Sequence, residues 1–275
     1  MTTAELTKEI GEELVRKLPS MRDDNPSIWT PAMEQYINTT LKKTGNDFRW
    51  AVLDHVSDTG NELFKSYCEK VLLDFFHLFD VHSAMPRNIG KRKYIIYLVA
   101  SLFKFYETTF AYLYFDWIES FARAAKMIKS STFSGIVRVD AKATRHSDGL
   151  DIWHMEVAGP SENASDDHII NDVKKALHTD LLNLVAILRN HLNCDVNIAM
   201  KIKVFCTQAI SEYIVYATTE LASIVIPFSF NGRSQYKSIL RMMAIFHEEI
   251  EKQEILIEEI NCYVAIMAYN DLKEK

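Results

Sequence analysis

RVDAKATRHSDGLDIWHMEVAGP, residues 138–160, alternates ionisable and apolar residues almost one for one. Successive side chains on a β-strand point to opposite faces, so this pattern predicts two strands, each with a polar and an apolar side. With HSDGL (residues 146–150) as a five-residue loop, Arg145 opposes Asp151, Lys142 opposes His154, Asp140 opposes Glu156 and Arg138 opposes Ala158. Opposed residues share a face. One face then carries Arg138, Asp140, Lys142, His154 and Glu156, and the other carries Val137, Val139, Ala141, Ala143, Trp153, Met155 and Val157. A four-residue loop mixes the faces, because a slip of one residue reverses the pattern.

The polar face has two readings. Charged residues on an exposed strand face can be cross-strand ion pairs, each contributing about 0.2–1 kcal/mol. Alternatively, two carboxylates on neighbouring strands can hold one Mg²⁺ or Mn²⁺, cations that prefer oxygen ligands and share them with substrate phosphate. Asp140 and Glu156 are placed for that role, and Lys142 is placed to polarise a phosphate or to assist an attacking water. His154 reads as a surface or packed histidine.

Outward from the hairpin, Ser165 is a suitable N-cap with Asp166 and Asp167 in the first turn of a helix. Its apolar stripe is Ile170, Val173, Leu177, Leu181, Leu184, Leu188 and Leu192, spaced to pack one face. Residues 201–210, 212–220 and 223–230 read as strands, and the chain is helical again from Gln235. Upstream, residues 111–117 are aromatic-rich and read as a strand, residues 91–109 as a buried helix and residues 118–130 as helix. Residues 1–88 form an N-terminal all-helical segment: a stripe at Leu6, Ile10 and Leu14, a short helix over 32–43, and a helix over 46–82 that Gly60 interrupts. Residues 89–275 form the second unit, whose mixed elements predict an α/β layer with helices on a central sheet.

Bulk properties narrow the function. Of the 275 residues 48% are apolar, enough for a substantial core. Net charge is −6, with 10 Lys/Arg against 14 Asp/Glu in residues 1–88 and 21 against 23 in residues 89–275. Neither part has the positive field of a general nucleic-acid binder, so contact with DNA or RNA needs a local patch. Cys68, Cys194, Cys206 and Cys262 form no CxxC pair and read as reduced thiols. The longest uncharged run of the greasiest segment, residues 94–103, is too short to cross a bilayer. The expectation is an intracellular protein, cytoplasmic or nuclear, with no membrane span. The basic run GKRK, residues 90–93, reads as a solvated helix start, with phosphate contact or a nuclear signal as the alternatives, and HEEIE at 247–251 lacks the second histidine of a zinc protease motif.

Asp140 on one strand, Glu156-Val157-Ala158 on the next and a helix after it resemble the PD-(D/E)XK nuclease superfamily, the restriction-endonuclease-like fold. The stretches RVDAKATR, WHMEVAGP and NDVKKAL are also similar to proteins of early-diverging filamentous fungi, over residues 90–260. The resemblance implies an αβββαβ core with a mixed central sheet flanked by helices. It implies a divalent-metal-dependent nuclease with Asp140 and Glu156 as metal ligands. Ala158 stands where that family has lysine, a residue that can migrate within the fold while its ammonium reaches the same point. Lys142, Lys174 and Lys175 are the candidates to replace it. Arg138, Lys174 and Lys175 are candidate backbone contacts for DNA or RNA. The alternative is a non-catalytic, nuclease-like scaffold that binds a protein or nucleic-acid partner.

Overall fold

The computed structural model describes residues 26–54, 59–80, 84–122, 124, 138–159, 166–210, 213–216 and 222–273. The expected stripe at Leu6, Ile10 and Leu14, the Ser165 cap and the inward Val137 lie outside them.

Three helices come first. Helix α1 (Pro31–Leu41) starts where the Thr30 side chain accepts from the Met33 N–H and proline supplies a preset φ. Helix α2 spans Gly45–Val52. Helix α3 (Glu62–Leu78) is capped by the Asn61 side chain, which accepts from the Phe64 N–H. The expected break falls at Gly60, whose φ of +76° suits a residue without Cβ. These helices share their core with the rest of the chain. Phe48, Phe75 and Phe76 meet the ring of Phe230, and the Tyr67 hydroxyl donates to the Leu102 carbonyl at 3.0 Å. One apolar cluster runs from Ile28 to Ile260.

A helical stretch follows as α4 (Lys91–Tyr94), a π-helical turn (Ile95–Val99) and α5 (Ala100–Phe110). Then come β1 (Leu113–Phe121), β2 (Arg138–Arg145), β3 (Asp151–Gly159), α6 (Asp166–Asn190), the short α7 (Val196–Ala199) and β4 (Phe205–Ile210). Strands β5 (Tyr213–Tyr216) and β6 (Ala222–Val225), a 3₁₀ turn (Phe230–Gln235) and the long α8 (Tyr236–Lys273) complete the order. Residues 118–121 continue β1, where the sequence reading placed helix; β-branched and aromatic neighbours in Trp-Ile-Glu-Ser-Phe suit the pleated ladder.

The six strands lie in chain order, and every neighbouring pair is antiparallel except β3 with β4, which is parallel. A parallel pair requires a crossover, and α6 supplies it. The chain is therefore mixed α/β, with a mixed sheet flanked by helices behind an N-terminal helical part.

The hairpin register is the expected one at its centre: Ala141 pairs with Met155, Lys142 with His154 and Ala143 with Trp153. It shifts near the loop, where Thr144 rather than Arg145 pairs with Asp151. The extra residue is Ile152, fully buried, and the loop closes on Gly149 at φ +69°. A bulge reverses the facing of what lies beyond it, so Asp151 joins Lys142 on the polar side.

The apolar side meets α5 and α8. Trp153 lies 4.7 Å from Phe103, centroid to centroid, and its Nε1 donates to Thr207 Oγ1 at 2.9 Å. Phe246 of α8 packs edge-on against Phe103. The polar side is buried too, which corrects the expectation of an exposed charged face: Lys142, His154 and Glu156 are all buried, and α6 meets the last two. Helix α6 covers them with a stripe other than the leucine one. Leu177, Leu181 and Leu192 are exposed, while Ala176, Thr179, Asp180, Asn183, Ala186 and Ile187 are buried. The strands below offer polar groups, and the helix turns its own polar groups toward them. No helix among the described residues is long and apolar enough to cross a membrane.

Helix α5 ends on Ala111, exposed and left-handed at φ 56°. A Cβ there costs roughly 1–2 kcal/mol, partly offset by the backbone entropy of glycine. Ala111→Gly is therefore expected to raise stability by up to about 1 kcal/mol in urea unfolding. A loss of stability would contradict this account of the helix end.

Candidate functional site

The buried polar layer between β2–β3 and the covering helices is the candidate site, and its geometry follows from the hairpin. Asp140 on β2 reaches across to β3, where its Oδ2 accepts from the Val157 N–H at 2.8 Å. The same oxygen lies 2.7 Å from Lys91 Nζ at the start of α4. GKRK, read from sequence as a solvated helix start, thus delivers a cation to the first candidate carboxylate.

Glu156, 2% exposed, points toward α6. Lys175 Nζ lies 2.8 Å from each carboxylate oxygen and donates a hydrogen bond to Oε2. Burial pushes the Glu156 carboxyl up to about 7 against the opposing pull of Lys175, and the negative charges of Asp140 and Asp172 push in the same direction as burial. Asp140 and Asp172 are thus each within electrostatic reach of Glu156. They are oxygen donors only, the set that suits Mg²⁺ or Mn²⁺.

Lys142 is placed elsewhere. Its ammonium lies 3.0 Å from Asp151 Oδ1 and 3.7 Å from Asp116 Oδ2. Asp151 also accepts from Thr144 Oγ1 at 2.9 Å. The bulge at Ile152 is the cause, because it turns Asp151 onto the face of Lys142. Arg138 is exposed at the start of β2, Lys174 is exposed within α6, and Lys175 is half-buried. The structure thus brings Asp140, Glu156 and Lys175 together, and holds Lys142 with Asp151.

A second cluster lies in the same layer. His154 of β3 pairs in register with Cys206 of β4, so their side chains share the face toward α6. Asp180 of α6 meets them, and one ligand atom from each of the three lies within 4.8 Å of the others. His154 Nδ1 is 3.3 Å from Asp180 Oδ1, without the alignment of a hydrogen bond. Neither ring nitrogen of His154 nor either oxygen of Asp180 has a hydrogen-bond partner among the described residues. Burial drives His154 down to about 3, aided by the charge of Lys175, and drives Asp180 up to about 7. Burial also raises the Cys206 thiol, followed by the charges of Asp180 and Glu156. The pair is therefore not a salt bridge at neutral pH. A Cys–His–Asp trio also occurs in cysteine hydrolases, but a buried thiol held protonated is no nucleophile.

The sequence singles out Lys91 only as part of GKRK, and gives no role to Asp172, Asp180 or Cys206. Asp180 and Asn183 recur at helical spacing immediately beside the leucine stripe of α6, and that was the available signal. No family model, curated protein or solved structure matches this chain.

The Lys142–Asp151 pair is buried, with side chains 10% and 2% exposed. Removing one partner of such a pair leaves a charge without compensation, at a cost of about 3 kcal/mol. Lys142→Met is expected to lose about that much in urea unfolding, and Lys142→Met with Asp151→Leu to recover at least half of it. A single-variant loss below about 1 kcal/mol would mean the pair behaves as a surface pair.

Proposed function

We propose that this protein is a divalent-metal-dependent nuclease of the PD-(D/E)XK type, hydrolysing phosphodiester bonds in DNA or RNA. The observation that carries the reading is Lys175 Nζ at 2.8 Å from the Glu156 carboxylate. The family motif places a lysine ammonium beside its glutamate from two residues further along the strand; here that position is Ala158 and the ammonium comes from α6. The order helix, three strands, helix, strand, running from α5 to β4, supports the same reading. So do the two carboxylates within electrostatic reach of Glu156 and the lysines that meet Asp140 and Glu156.

In this reading Asp140 and Glu156 hold Mg²⁺ or Mn²⁺, which supplies Lewis-acid polarisation of the scissile phosphate and an activated water. Lys175 orients Glu156 and presents positive charge where the phosphate's charge develops. Asp140 is held toward β3 by the Val157 N–H, which fixes its carboxylate beside Glu156. Lys91, Lys174 and Arg138 supply the local positive patch that an acidic protein needs for a polyanion.

The second reading, a non-catalytic scaffold that binds a protein or nucleic-acid partner, is favoured by one observation: Lys91 already neutralises Asp140, and Glu156 is closed from solvent.

Purified protein incubated with single- and double-stranded DNA and RNA and Mg²⁺ or Mn²⁺ separates the two. Cleavage is expected in wild type, with a loss of about 10²–10³-fold or more in Asp140→Asn, Glu156→Gln and Lys175→Met. The double variant Lys175→Met, Ala158→Lys is expected to regain part of it. Cleavage that survives Glu156→Gln and Lys175→Met would sink the site assignment. No cleavage, together with no calorimetric Mg²⁺ or Mn²⁺ binding, supports the scaffold.

A further inference from the structure

We propose that His154, Asp180 and Cys206 form a buried binding site for a borderline-soft divalent ion of the zinc class, distinct from the oxygen-donor site at Asp140 and Glu156. One nitrogen, one sulfur and one carboxylate oxygen make a donor set that suits zinc, cobalt or iron and suits magnesium or calcium poorly. The set is built rather than scattered. His154 and Cys206 are register partners on adjacent parallel strands, and Asp180 comes from the helix that connects those two strands.

The spacing fits. For tetrahedral zinc with nitrogen and oxygen ligands at about 2.0–2.2 Å, the ligand atoms lie about 3.3–3.5 Å apart. His154 Nδ1 and Asp180 Oδ1 are 3.3 Å apart, and all three donors fall within 4.8 Å. That separation is close to a tetrahedron edge, and the two atoms make no hydrogen bond across it.

Polar satisfaction supplies the independent support. Buried polar groups in folded proteins are almost always paired. Here both His154 nitrogens and both Asp180 oxygens are buried without a hydrogen-bond partner among the described residues. Asn183 Oδ1, one helical turn after Asp180 and also buried, is in the same condition. A metal ion replaces the missing partners and draws the protons from Asp180 and Cys206, since ligands bind deprotonated. Three protein ligands leave a fourth position for water or a further side chain. The burial of all three ligands makes the site a brace between β3, β4 and α6.

The test is the whole chain, stripped with chelator and titrated with Co²⁺ or Zn²⁺. Wild type is expected to take up one equivalent of Zn²⁺ that survives dialysis. Co²⁺ should give a thiolate-to-cobalt charge-transfer band with tetrahedral ligand-field bands. Cys206→Ser should abolish the charge-transfer band, and Asp180→Asn should weaken binding at least tenfold. Cys194→Ser, Cys262→Ser and Asp140→Asn should leave the spectrum intact, the last separating this site from the nuclease reading. Should Cys206→Ser fail to fold, the wild-type spectrum and the Cys194→Ser and Cys262→Ser variants still decide. Wild type that binds no stoichiometric Zn²⁺, or a charge-transfer band that follows Cys194 or Cys262, overturns the proposal.

Discussion

The polar face of the β2–β3 hairpin is not in water. Helix α6 and the start of α4 cover it, and a charged group there is costly unless an opposite charge or hydrogen bonds compensate it. The arrangement of the layer follows from that demand. Asp140 is met by Lys91, Glu156 by Lys175 and Asp151 by Lys142, each within 3.0 Å. Lys91 and Lys175 are themselves half-exposed, so part of each side chain stays near solvent. That geometry neutralises the acids without burying the cations fully. It also ties the placement of α4 and α6 to two carboxylates on the hairpin.

The same demand accounts for the facing of α6. A leucine stripe is the usual way for a helix to bury itself, and the sequence provides one. Packing Leu177 and Leu181 onto His154, Glu156 and Cys206 would remove the lysine from Glu156. The helix instead presents Lys175, Ala176, Thr179, Asp180 and Asn183, and leaves Leu177 and Leu181 in solvent. Local amphipathy has been overridden by the polarity of the surface beneath.

The hairpin and its central register were legible because Ala141, Ala143, Trp153, Met155 and Val157 alternate with charged residues over both strands. The strands at Leu113, Phe205 and Tyr213 and the helix from Tyr236 were legible for the same reason of periodicity. The bulge at Ile152 was not, since one extra residue leaves the composition of both strands unchanged, and it brought Asp151 onto the face of Lys142. Lys175 was legible only as one of several lysines near the missing motif position; which one reaches Glu156 depends on the rotation of α6. The trio of His154, Asp180 and Cys206 is spread over 53 positions and has no local spacing. Only the parallel pairing of β3 with β4 brings Cys206 beside His154.

Two donor sets of different character now share the same pair of elements. On β3, His154 and Glu156 are two residues apart on one face. On α6, Lys175 and Asp180 are five residues apart, a little over one turn. An ion bound between His154, Cys206 and Asp180 would therefore fix both the distance and the rotation of α6 against β3. Those are the two variables that place the Lys175 ammonium on Glu156. A lysine on the same strand as its glutamate is aligned by the strand itself, whereas one delivered from a helix is aligned only as well as that helix is held. Under the proposed nuclease reading, with Ala158 where that family has lysine, a brace at Asp180 would matter to the site: an ammonium delivered from another element depends for its placement on packing between elements.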